Sequence, residues 1–93
     1  MQMANIGAEV GRTINWKRKG NLEESRAAFY RALELIYFTV EDPKHKGRLR
    51  EILRTREALI DHFVYDNVYN TTDEQWENYF YHFNYAAALE RGR

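Results

Sequence analysis

Three interruptions divide this chain, and each is written in turn chemistry. Gly20-Asn21, Asp42-Pro43 and the polar run DNVYNTT (residues 66–72) separate stretches in which apolar residues recur every three or four positions. That period belongs to helices, and no strand-like alternation continues for a useful length. Four amphipathic stretches joined by short connections must bury their stripes against one another. The expected fold is all-α, a compact four-helix up-and-down bundle forming a single helical domain over residues 1–93.

The first helix is expected from about Asn5 to Lys19, with Met3, Ile6, Val10, Thr13 and Ile14 along its stripe. Gly7 and Gly11 stand four apart beside that stripe, where they would let another backbone come close while lowering helix propensity. Gly20 falls where a left-handed C-terminal cap is wanted, and Asn21 follows as N-cap with Glu24 three residues on. The second helix then runs from Leu22 to about Val40. Leu22, Phe29, Ala32, Leu33, Ile36 and Val40 share its face, Ala28 and Leu35 widen it, and Tyr30 and Tyr37 flank the other side.

Asp42-Pro43 closes that helix, because proline pushes the residue before it out of the helical region. The same pair can open the third helix, as N-cap and first helical residue. That helix is expected from about Lys46 to Tyr65, with Leu49, Ile52, Leu53, Ile60, Phe63 and Val64 on one side. Thr72 and Gln75 form a capping box for the fourth, which runs from Asp73 to about Glu90 with Trp76, Phe80, Phe83 and Ala87 inward.

Size makes this economy necessary, since a chain of 93 residues buries only ~60–65% of its unfolded surface. Seven Tyr, five Phe and two Trp supply large buried area per residue. With no Cys there is neither a disulfide nor a thiolate metal site. His82 lacks metal-ligand spacing, and no phosphate-cradling glycine loop or nucleophile elbow is visible, so no metal and no cofactor is expected. The absence of a membrane-length apolar run or a signal peptide leads to the expectation of a soluble, cytoplasmic protein. A formal net charge of zero argues against bulk attraction to nucleic acid and favours self-association or a standing protein partner.

One stretch comes close to a catalytic signature. RTREALIDHF (54–63) places Arg56 and His62 on one helix. It resembles the Arg-x(4–6)-His motif of HEPN-type helical nucleases. That resemblance implies a metal-independent, toxin-type RNase in which the arginine contacts phosphate and the histidine activates a ribose hydroxyl. Geometry weighs against it, because residues six apart lie roughly 120° around the helix axis. On the wheel Arg56 falls amid the apolar stripe, needing Glu34 or Glu77 as a counter-ion, whereas His62 points to the polar side as a surface histidine.

Binding surfaces are the other candidates. Lys17, Arg18 and Lys19, with Lys44, Lys46, Arg50 and Arg54, could form a basic rim for weak nucleic-acid binding, diluted by Glu51, Glu57 and Asp61. On the fourth helix Tyr81 and Tyr85 stack at i,i+4 opposite its apolar face. With Tyr65 and Tyr69 from the preceding loop they make an aromatic patch of the composition that interface centres favour.

Two further resemblances bear on the same point. Gly20, Ser25, Phe29, Ala32 and Leu33 occur in the order of the second half of a tetratricopeptide helix hairpin, without a second copy at the repeat period. Ala4-Asn-Ile-Gly-Ala-Glu-Val, Arg31-Ala-Leu-Glu-Leu and Tyr79-Phe-Tyr-His-Phe-Asn-Tyr-Ala-Ala together resemble a family of small all-helical prokaryotic proteins. They also resemble the HEPN-like helical subunits that accompany minimal nucleotidyltransferases. The function implied is a non-catalytic helical interaction module, binding a protein partner or itself as a dimer through Tyr65, Tyr69, Tyr81 and Tyr85.

Overall fold

The structure, a computed structural model, describes residues 2–81, apart from the side chains of Gln2 and His45. Helix α1 spans Gln2–Arg18, α2 spans Leu22–Glu41 and α3 spans Leu49–Phe63. Helix α4 covers 73–81 among the described residues. The architecture is all-α, as the periodicity requires, and no described helix is long and apolar enough to cross a membrane.

The connections follow their turn chemistry closely. Gly20 takes the left-handed conformation at φ 79°, and Asn21 accepts from the Glu24 amide at 3.1 Å. Thr72 and Gln75 exchange both bonds of the capping box, at 2.8 and 3.1 Å. Asp42 does act as a cap, accepting from the Lys44 amide at 3.0 Å, with Pro43 behind it. The helix it opens, however, is a 3-10 segment, Pro43–Arg48, and α3 begins only at Leu49 rather than Lys46. Gly47 lies inside that segment, where its low helix propensity favours the tighter, short-lived winding. Helix α3 also stops at Phe63, short of Tyr65, because Asp61 draws the following chain back onto itself. Its carboxylate accepts from the Val68 and Tyr69 amides at 2.9 and 3.1 Å, and its carbonyl from Asn67 at 3.1 Å.

Helix α1 pairs with α2 as an antiparallel hairpin, pinned where the Ser25 hydroxyl donates to the Thr13 carbonyl at 2.8 Å. Helix α3 returns along α2, with the rings of Phe29 and Phe63 5.2 Å apart. Helix α4 then runs back between α3 and α1. Its Tyr79 hydroxyl meets Thr55 at 3.2 Å, and its Phe80 lies over Gly7. The bundle closes around Ile6, Val10, Ile14, Phe29, Ile36, Leu59 and Phe80.

One face differs from expectation. The buried residues of α3 are Ile52, Thr55, Leu59 and Asp61, while Leu53 and Val64 are exposed. Ile52, Thr55 and Leu59 thus centre roughly 90° around the axis from the purely apolar stripe, while Asp61 is covered on another side by the loop after the helix. Helix α3 must meet both α2 and α4, so its inward face centres between them. Polar groups are tolerated there because they find partners. Leu22 of α2, expected inward, is exposed as well. Phe83 and Ala87 lie outside the described residues.

Candidate functional site

The two motif residues of α3 part company in the structure. The His62 side chain is only 5% exposed and both its nitrogens are engaged. Nε2 lies 2.7 Å from Asp73 Oδ1, and Nδ1 lies 2.9 Å from the Thr71 hydroxyl. The Thr71 hydroxyl also lies 3.2 Å from Asn67 Oδ1, which ties the ring to the loop on one side as Asp73 ties it to α4 on the other. Trp76 donates its indole N–H to the same hydroxyl oxygen at 3.1 Å. Lys17 reaches across from α1 to Asp73 at 3.3 and 3.4 Å. Burial pushes the Asp73 carboxyl up, but the hydrogen bonds from His62 and Lys17 outweigh it and leave its pKa lowered. His62 is therefore a tie joining α3, the loop, α4 and, through Asp73, α1. The expectation of a surface histidine fails because Asp73 and Thr71, distant in sequence, supply its partners.

Arg56 is exposed on another side of α3, with no ion pair among the described residues. The expected counter-ions are not used: Glu77 takes Arg18 at 2.9 Å, and Glu34 pairs with neither Arg56 nor any other described cation. Arg56 borders one hollow with Leu33, Tyr37 and Leu53, and a second with Ile60, Tyr65 and Tyr69. His62 borders neither hollow. Within the chain Arg56 and His62 do not share a cleft.

The basic rim is divided too. Lys17 and Arg18 are spent on Asp73, Glu74 and Glu77, and Lys19 lies over the Trp16 ring at 5.2 Å. Those residues stand at the α1–α2 turn. Lys44, Lys46, Arg50 and Arg54 stand at the opposite end of the bundle, in and after the 3-10 segment. Arg50 and Arg54 border a hollow with Glu51 and Tyr79. Among the described residues no cluster of His, Asp and Glu could hold a metal ion.

The tyrosines also fall on two surfaces. Tyr81 borders a hollow between α1 and α4, beside Gly7 and Gly11. Tyr65 and Tyr69 lie with Val68 beside Arg56, on the far side of α3. Glu57 accepts from the Tyr69 hydroxyl at 3.1 Å, which together with its charge raises that phenol's pKa. Tyr85 lies outside the described residues.

What the structure assembles instead is a face built by α2, α3 and the loop after α3. Among the described residues ten large apolar side chains are exposed, and all but Phe38 and Tyr81 belong to it. Leu22, Tyr30 and Val64 border its lower hollow, Tyr37 and Leu53 the middle one, and Tyr65, Val68 and Tyr69 the one beside it. Tyr65 is 72% exposed and Val68 76%. The α2 contribution was visible in the sequence as Tyr30 and Tyr37, two turns apart. The α3 contribution was hidden, because Leu53 and Val64 read as core.

Compared with known proteins, the chain matches no protein-family model, no curated protein and no solved structure.

Proposed function

We propose that this chain is a helical protein-interaction module that docks through the α2–α3 face. The carrying observation is the one-sided exposure of large apolar and aromatic side chains, centred on an arginine that has no acidic partner among the described residues. Scattered apolar exposure is ordinary, whereas a contiguous patch with polar edges is the mark of a protein contact. Tyrosine and arginine are also the residues on which interface energy concentrates. The His62–Asp73 network serves this role indirectly, by fixing the α3–α4 loop that presents Tyr65, Val68 and Tyr69.

The test is affinity capture in the native host with the wild type, Leu53→Asp and Tyr65→Ala, alongside a second, differently tagged copy of the chain. The expected result is a stoichiometric protein, either the second copy or another chain, retained by the wild type and released by both variants. If the wild type retains neither, or the variants retain everything it does, the module reading is wrong.

A further inference from the structure

The hollow at the α1–α2 turn end is walled by three helices and carries cations without carboxylates. Its volume is about 370 Å³, and Lys17 of α1, Leu22, Arg26 and Phe29 of α2 and Phe63 of α3 line it, with no acidic side chain among the described residues of its wall. Phe29 is buried and Phe63 half-buried, and their rings lie 5.2 Å apart at 48°, which makes the floor aromatic. The hydroxyls that also border it are already spent inside the bundle. Ser25 donates to the Thr13 carbonyl at 2.8 Å, and Thr13 donates to the Glu9 carbonyl at 2.9 Å.

The two cations are in different states. Lys17 is held in place, with its ammonium 5.6 Å from the Phe63 ring centre and 3.3 and 3.4 Å from the Asp73 carboxylate. Asp73 takes at most two of its three donors. Arg26 is exposed and has no ion pair among the described residues. An apolar pocket with a few placed polar groups is the usual form of a small-molecule site. The planar fork of a guanidinium matches a carboxylate with two parallel hydrogen bonds.

We infer that this hollow is a binding site for a small aromatic carboxylate. The ring of the ligand lies on Phe29 and Phe63, and its carboxylate takes the Arg26 fork, with Lys17 adding charge from the α1 wall. Leu22 stands at the mouth, 63% exposed. The inference stands apart from the docking reading, since a chain that takes no protein partner would still bind the acid.

Phenylacetate is the probe, titrated into the full chain and followed by amide chemical shifts in a proton–nitrogen correlation spectrum. A ligand of about ten heavy atoms should bind with a dissociation constant of about 0.1 to 1 mM. The saturable shifts should concentrate at residues 13, 17, 25, 26 and 63. Phenylacetamide has the same shape without the charge and should bind about tenfold more weakly. Arg26→Gln should weaken phenylacetate by about the same factor and bring the two probes close together. Leu22→Glu, which sets a carboxylate at the mouth, should weaken phenylacetate more than phenylacetamide. Both substitutions fall on exposed side chains, and unchanged shifts away from the hollow verify that the variants are folded. No saturable shifts at the hollow, equal affinity for acid and amide, or an Arg26→Gln variant that binds the acid as the wild type does would each overturn the inference.

Discussion

Two glycines on α1 make opposite predictions from the same substitution. Helix α4 crosses α1 at Gly7, where an added Cβ would stand 2.7 Å from Phe80 Cβ and 3.0 Å from two atoms of its ring. Ordinary carbon–carbon contact begins near ~3.5 Å, so the helices would have to part by about 0.8 Å. Phe80 cannot swing clear, because the nearest atom is its own Cβ, fixed to the α4 backbone. Overpacking of this kind costs about 1–3 kcal/mol. At Gly11 an added Cβ meets nothing within 4 Å. Both substitutions gain about 0.8–1.0 kcal/mol of helix propensity, and that gain cancels between them. Gly11→Ala should therefore be more stable than Gly7→Ala by about 1–3 kcal/mol, and more stable than the wild type by up to about 1 kcal/mol. For a domain of this size each kcal/mol moves the melting midpoint by about 4–8 °C. Urea and thermal unfolding followed by far-ultraviolet circular dichroism reads the gap directly. A Gly7→Ala midpoint equal to or above that of Gly11→Ala would refute the close α1–α4 crossing.

Acid should expose the Asp73 tie. Its folded pKa is lowered, so the stability it contributes is present in full above about pH 4 and is lost as pH falls through the folded value. The urea midpoint of the wild type should drop between about pH 4 and pH 2 more steeply than that of Asp73→Asn, which is already weaker at neutral pH; parallel curves would contradict the tie. Asp61→Ala leaves the Val68 and Tyr69 amides without their acceptor, at a cost of about 1–3 kcal/mol. Hydrogen exchange at those two amides should speed up markedly relative to α1, and unchanged exchange there would show that Asp61 does not organise the loop.

The legible parts of this fold are local, and the illegible parts are set by distance in sequence. Gly20, Asn21, Asp42, Thr72 and Gln75 act on backbone groups within three residues of themselves, so their roles can be read from adjacent letters. Only the consequence of Gly47 was missed, where α-helix and 3-10 helix differ by little energy. The sequence also marks Gly7 as a place for close approach, but not which backbone approaches. His62 belongs to the other class. Its burial depends on Asp73 and Thr71, and through Asp73 on Lys17 of another helix, so no window around residue 62 contains the reason. The same holds for the stripe of α3. Counting apolar letters turns it toward Leu53 and Val64, whereas the bundle turns it toward Thr55 and Leu59, with Tyr79 satisfying the threonine. That rotation has a consequence for function. A helix that buries polar residues against partnered groups leaves apolar residues over, and on α3 these are the residues that border the docking face. The polar ties inside the bundle and the apolar surface outside it are thus two sides of one rotation. Variants that weaken the ties should loosen the face along with the fold.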